Sequence, residues 1–366
     1  GVEIDNYKSS DVIFYGGIKS FEVTSTGKDY DVINPPIVNV TDASGSGATG
    51  SLTVSGSLSE LRIINKGFDF LETPVVTIDG GSPTVPAEAK VNITEVDHKI
   101  SFQAGINFNN LDGGVDLTND IIGFTTFHNL RDIEQVTYNV AKTPVAGLGT
   151  NQTYFAKVVD GTRIKLFSSF DEANTGINTV SLTAFGNGLQ TFSTVERKKV
   201  ASSIVVSNPG SGYKNQERTI SVAGINTSLN KFTIEDHGYN TDEIVRYTPN
   251  ASSISGISSQ TDYFVRKIDD DSFYLYALGT GSLDKRYYID NNIPVNITST
   301  GSGYFNYKPI TVTVSGLIGV NTSFGQEIDC TVQPIFRGSI TSANVSNEGV
   351  GYGSSEILNF DRKPNV

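Results

Sequence analysis

The chain of 366 residues contains no Met and no Trp, one Cys and three His. A single thiol excludes an internal disulfide, so no covalent crosslink holds the fold together. In Glu327-Ile328-Asp329-Cys330-Thr331-Val332 the Cys alternates with Ile328 and Val332, which is the position of a small buried apolar residue and not of a reactive thiol. No apolar run approaches the roughly 20 residues that a helix needs to cross a bilayer, and the start carries no signal-peptide pattern. No stretch of a dozen residues keeps a 3.6-residue apolar period; Asp171-Glu172-Ala173-Asn174 offers one helical turn at most. Basic charge is scarce too. Lys and Arg number 27 against 39 Asp and Glu, a net charge of −12, and Arg197-Lys198-Lys199 is an isolated triplet. Binding nucleic acid by counterion release is therefore not expected. The lack of Met also makes the chain read as a piece of something longer.

What is abundant points to β-structure. The 37 Gly, 16 Tyr and 20 Phe fall among many short alternating runs, the signature of strands joined by tight turns. At this length one hydrophobic core is exceeded, so two to four domains are expected.

One segment occurs twice without a gap. Residues 128–166 and 237–275 match at a constant shift of 109, which pairs His128 with His237, Tyr138 with Tyr247, Tyr154 with Tyr263, Asp160 with Asp269 and Leu166 with Leu275. Within each copy large apolar side chains recur every second residue, and an acidic turn separates two aromatic or β-branched runs. Each copy reads as three or four short antiparallel strands, and both are expected to share one fold. Glu172 to Thr191 reads as an insertion specific to the first copy.

A second unit has the form strand, Gly-x-x-aromatic, Pro, strand. It occurs at Gly27–Tyr30 and Gly67–Phe70, 40 residues apart, and again at Gly210-Ser211-Gly212-Tyr213, Gly301-Ser302-Gly303-Tyr304 and Gly349-Val350-Gly351-Tyr352. Gly at the first and third positions permits positive φ, and the aromatic that follows can fold back as an apolar plug, so these five aromatics are expected to be buried. No helix follows any copy, which argues against a phosphate-cradling loop. The expected fold is all-β: tandem small antiparallel β-sandwich or β-barrel-like modules from two interleaved repeat types. The expected segments are 1–100 with two Gly-x-x-aromatic units, 101–200 with the first duplicated module and its insertion 172–191, 201–290 with a Gly unit and the second module, and 291–366 with two further Gly units.

These interleaved units resemble the repeats of virion structural proteins of contractile-tailed phages, especially phages of marine cyanobacteria; the likeness covers most of residues 18 to 358. It implies a tail, baseplate or fibre-associated role in an extracellular particle, contacts with other virion proteins and a homo-oligomer, without nucleic acid or membrane. The alternative is an adhesin whose exposed Tyr residues stack on a surface glycan.

Candidate chemistry is thin. No catalytic, cofactor or metal site is expected, and no cofactor. His128 and His237 read as corner residues, and His98 has no counterpart. Asp269-Asp270-Asp271 reads as a hairpin turn, and Asp112, Asp116 and Asp120 are the better cation candidates. Glu134 and Glu243, the only matched glutamates, are the pair a glycosidase would need, and each is expected on the solvated face of its strand. Terminal segments 12–15 and 357–360 are short and apolar edges; they, or residues 172–191, are expected to pair with another subunit or with a remainder of the protein, in a closed symmetric ring or trimer.

Overall fold

The computed structural model describes residues 16–40, 45–106, 113–324, 326 and 328–352. Asp112 and the terminal segments 12–15 and 357–360 lie outside them. Short β1 (Tyr30–Asp31) and β2 (Val38–Asn39) lead into the 18-residue β3 (Thr49–Lys66), then β4 (Val75–Asp79) and β5 (Glu88–Val96). A first barrel follows, from β6 (Lys99–Ala104), β7 (Gly114–Asp116), β8 (Ile121–Gly123), β9 (Glu134–Val140), β10 (Thr153–Asp160), β11 (Arg163–Phe167), helix α1 (Phe170–Thr175) and β12 (Gly188–Thr194). β13 (Lys198–Asn208) and β14 (Tyr213–Asn215) bring the chain back. A second barrel is made from β15 (Glu217–Ile220), β16 (Ile225–Asn226), β17 (Lys231–Thr233), β18 (Ile244–Pro249), β19 (Asp262–Lys267), β20 (Ser272–Ala277), helix α2 (Tyr287–Asp290) and β21 (Gly303–Tyr307). β22 (Thr311–Ser315) and the 18-residue β23 (Cys330–Asn347) complete the described chain.

The two barrels are the same fold. The first has the spatial order β6-β12-β9-β10-β11-β8-β7 and the second β15-β21-β18-β19-β20-β17-β16, with identical connectivity and every pairing antiparallel. Both are nearly closed curled sheets; in the first, Val115 N–H donates to Ile106 O at 3.1 Å and draws the end strands together. The ungapped repeat explains itself in hydrogen bonds. Tyr138 and Tyr247 hydroxyls accept from the backbone N–H seven residues on, Val145 at 2.9 Å and Ile254 at 3.1 Å. Tyr154 and Tyr263 accept from Gly149 at 2.8 Å and Ser258 at 2.7 Å. A buried hydroxyl that must find a partner fixes both the residue type and its loop, which is why these positions match across 109 residues.

Each copy holds three antiparallel strands, β9–β11 and β18–β20, as its alternation suggested, and four outer strands whose apolar residues are interchangeable complete each seven-stranded sheet. Two expectations change. Residues 172–191 are not an insertion special to the first module: α1 runs into them from Phe170, Thr191 lies inside β12, and the second module fills the same stretch of its topology with α2. The unit at Gly301–Tyr304 is not a Gly turn. Its glycines keep negative φ and Tyr304 lies in β21; a Cβ on Gly303 would meet Thr248 O at 2.4 Å, so glycine is there for close strand approach.

Between the barrels lies a β-sandwich drawn from the whole length of the chain. Sheet β13-β5-β4-β22 faces sheet β1-β23-β3-β14, with Leu58, Tyr213 and Phe336 of one packing in one cluster with Ile78, Val206 and Val312 of the other. The sheets therefore do not follow segments 1–100, 101–200, 201–290 and 291–366. The first barrel is inserted between β5 and β13, whose residues Val96 and Lys198 are paired, and the second between β14 and β22.

Four genuine Gly turns organise this sandwich. Gly27, Gly67, Gly210 and Gly349 have φ of 58°, 65°, 63° and 63°, and the third position is left-handed as well, at Asp29, Asp69, Gly212 and Gly351. In three of them an Asn two residues upstream, Asn65, Asn208 or Asn347, accepts the Gly N–H at 2.9–3.0 Å, closing an Asx turn. The plug aromatics Phe70, Tyr213 and Tyr352 are 1%, 1% and 4% exposed, while Tyr30 and Tyr304 are half-buried. Tyr213 and Tyr352 hydroxyls accept the N–H of Ala87 at 2.8 Å and of Ala48 at 3.0 Å. Changing Tyr213 to Phe leaves the buried Ala87 N–H without that acceptor and is expected to cost about 1–3 kcal/mol in a urea titration, against no change if the bond contributes nothing.

The turns form two nested tiers. In the inner tier Gly56 pairs with Tyr213, and Leu58 N–H donates to Pro209 O at 2.9 Å. In the outer tier Gly16 pairs with Tyr352, and Ile18 N–H donates to Glu348 O at 2.8 Å. Rising-arm partners are shifted by 40 (56 against 16, 58 against 18) and returning-arm partners by 139 (352 against 213, 348 against 209). The isolated bridges Val85–Ser211 and Ser46–Val350 repeat the relation at shifts of 39 and 139. β3 and β23 are long because each passes through both tiers; among their irregularities is a register shift between Ile340 and Ser342, near the crossover.

Candidate functional site: the sockets that seat the barrels

The matched residues converge where barrel meets sandwich. Glu134 opens β9 and Glu243 immediately precedes β18, and neither is on a solvated face as the alternation suggested. Glu134 is 7% exposed. Its Oε2 accepts the N–H of Arg131 at 2.8 Å, and Glu243 Oε2 accepts that of Asn240 at 2.8 Å, so each caps the turn before its strand. The second carboxylate oxygen is what points into the sandwich. Lys198 Nζ of β13 sits 2.5 Å from Glu134 Oε1, and Lys214 Nζ of β14 sits 2.8 Å from Glu243 Oε1. The same acid of two copied modules thus meets a lysine of the sandwich strand beside each insertion point.

The first socket is the drier one. Lys198 and Asp69 are both 0% exposed, with Lys198 Nζ 3.5 Å from Asp69 Oδ2. Arg131 forks onto Asp69 through Nε at 2.7 Å and Nη2 at 2.6 Å and reaches Glu196 through Nη1 at 3.0 Å. The Asp69 carboxylate beside it holds the guanidinium above its usual range. Asp69 is available because the third turn position is left-handed, φ 60°, which tucks the side chain inward next to Phe70. Bidentate geometry and the crossed pairs offset the desolvation of buried charges.

In the second socket Tyr307 Oη donates to Glu243 Oε2 at 2.9 Å, and burial pushes that phenol's pKa up. Arg218 of β15 is 4% exposed and reaches across to the sandwich, donating to Asn344 Oδ1 at 2.7 Å and to His237 O at 3.2 Å. Ser82 Oγ and Ile244 exchange hydrogen bonds at 3.2 and 3.0 Å.

The matched histidines are corner residues. His128 Nδ1 accepts Leu130 N–H at 3.0 Å and Nε2 lies 2.7 Å from Asp160 O; His237 Nδ1 accepts Tyr239 N–H at 2.9 Å and Nε2 lies 3.1 Å from Asp269 O. A ring that accepts at Nδ1 and donates at Nε2 is neutral. His98 Nε2 contacts His128 O at 2.7 Å. Burial lowers all three imidazole pKa values below the ordinary value of 6.5. The folded state therefore binds fewer protons than the unfolded one, and the stability present above about pH 6.5 is lost as pH falls. Urea midpoints are expected to drop between pH 7 and pH 5, and the drop to shrink in a His128→Gln, His237→Gln double variant; an equal drop in both proteins would contradict this.

The acidic candidates are turn residues. Asp160 and Asp269 accept the N–H two residues on at 2.9 and 3.0 Å, and Asp271 accepts Asp236 N–H at 2.8 Å. Asp116 caps Thr118 and Asn119, and Asp120 accepts Leu182 N–H at 2.7 Å. Among the described residues no group of three or more His, Cys, Asp or Glu is arranged to hold a metal ion. Cys330 is buried, as its alternation predicted, and its thiol pKa is pushed up by burial. It lines a groove with Phe70, Val314 and Val332.

Sequence reasoning missed Lys198, Asp69, Arg131 and Arg218. The one available signal was spacing: Arg131-x-x-Glu134 and Asn240-x-x-Glu243 share the capping interval. Compared with protein-family models, curated proteins and solved structures, the chain matches none.

Proposed function

We propose that the chain is a non-enzymatic structural component of a phage virion, tail, baseplate or fibre-associated, whose β-modules make contacts with other virion proteins and with further copies of itself. The observation that carries the reading is the use to which the repeated polar residues are put. Glu134 and Glu243, the matched glutamates, are each held by a lysine and a backbone N–H at a domain junction. Residues that would serve a reaction serve to hold modules in fixed orientation, which is what a load-transmitting scaffold requires. The resemblance of the interleaved units to contractile-tailed phage repeats supplies the particle, and the acidic surface suits exposure.

The adhesin alternative is the less favoured reading at the Gly turns, because Phe70, Tyr213 and Tyr352 are buried there and not presented for stacking on sugar rings. Mass spectrometry of purified virions, with antibodies raised against this chain, tests the proposal. The expected result is a fixed copy number per particle and labelling at the tail. Absence from particles, or glycan cleavage lost on Glu134→Gln, would replace the reading.

A further inference from the structure

The nested tiers leave one position in the pattern unfilled. In the inner tier the rising arm is paired along both edges: Gly56 meets Tyr213 on one side and Gly338 on the other, and Leu58 meets Phe336. In the outer tier the first edge is reproduced by Gly16 with Tyr352 and Ile18 with Glu348. The shift of 139 places the counterpart of Phe336 and Gly338 outside residues 1–366. Among the described residues no strand pairs with that second edge of 18–23.

The side chains carry the same mark. Ile18, Phe21 and Val23 stand 40 residues before Leu58, Leu61 and Ile63. Leu58 and Leu61 are buried, in one cluster with Phe336, whereas Ile18 and Phe21 are only half-buried, Phe21 at the margin of the same cluster; Ile63 and Val23 are half-buried alike. Gly67 is buried and its counterpart Gly27 exposed. β4 is paired along its length by β22, but β2, its outer counterpart, pairs among the described residues only with β3.

We propose that the open edge of residues 16–26, with β2 beside it, is the seat of an incoming extended segment that repeats the pattern of 309–340: a strand like β22 followed by one like β23, laid antiparallel with apolar residues spaced as Val332, Pro334, Phe336 and Ile340. Backbone pairing supplies affinity, and the alternating side chains supply register. The segment comes from outside these 366 residues. A second copy of the chain does not fit, because its own β22 and β23 are already engaged with β4 and β3. This inference rests on the repeat register and holds whether or not the chain is a virion component.

A synthetic peptide of residues 328–342 carrying Cys330→Ser serves as the probe, added to the 366-residue chain while amide exchange is followed by mass spectrometry. The expected result is slowing of about tenfold or more at residues 17–26, with no change at 57–66, which are already covered. In a Phe21→Asp chain the slowing is lost while 57–66 stay protected, showing that the inner tier still folds. The proposal is overturned by no slowing at 17–26, by protection there already equal to that of 57–66 in the peptide-free monomer, or by protection that appears only on dimerisation without peptide.

Discussion

Replacing Lys198 with Met is expected to lower stability by about 3–5 kcal/mol, because it strands Asp69 and Glu134 in a buried junction with one cation, Arg131, beside them. The size follows from burial: the ammonium is 0% exposed. The copied position gives an internal control. Lys214→Met removes the same bond to Glu243 where side-chain exposures are 17% and 11% and Tyr307 still donates to the carboxylate, so the expected loss is about 1 kcal/mol. A Lys198→Met, Glu134→Gln double variant is expected to recover part of the loss, since one stranded charge is gone. Equal, small losses for Lys198 and Lys214 in urea titrations would contradict the picture of a dry socket.

Phe70→Ala is expected to cost about 3–5 kcal/mol, with a correspondingly lower thermal midpoint. The ring is 1% exposed, packs with Val91, Val314 and Cys330, and lies against Gly67, where a Cβ would meet it at 2.6 Å. Its removal opens a void that the turn cannot collapse into, since Phe70 N–H is tied to Lys199 O at 3.1 Å and the turn next to it carries Asp69. Tyr30 occupies the same place in the outer tier but is half-buried, so Tyr30→Ala is expected to cost roughly half as much or less. Similar losses at the two positions would mean that the tiers are covered alike.

Much of the fold was legible where side-chain pattern and backbone need coincide. The constant shift of 109 located β9, β10 and β11 and their copies because Tyr138, Tyr154 and His128 each satisfy a backbone group, which no other residue does in the same way. The outer barrel strands were not legible as copies: Phe102 and Ile220 fill corresponding places with different apolar side chains, and packing tolerates that. Gly-x-Gly-Tyr at 301–304 misled because glycine answers two needs, positive φ and close approach, which sequence does not distinguish. Nesting was hidden for a different reason. Pairings such as Gly16 with Tyr352 join residues more than 300 apart, and a linear reading assigns each repeat to its neighbour in sequence.

The same cause hid the sockets. Lys198 lies in a basic triplet that reads as solvated surface, and nothing local shows that Asp69, 129 residues earlier, would lie beside it. Buried ion pairs depend on where modules meet, which alternation and spacing describe only within a module.

The central claim is that the barrels are inserts in a sandwich whose strands come from the whole chain. Val96 and Lys198 are paired neighbours, so a two-residue turn in place of residues 97–197 should close the sandwich without the first barrel. The measurement is the amide spectrum of that shortened chain. Unchanged signals for the second barrel, and for β3, β5, β13 and β23 away from the first socket, are predicted. Loss of dispersed signals from the sandwich strands together with the deleted barrel would contradict the claim.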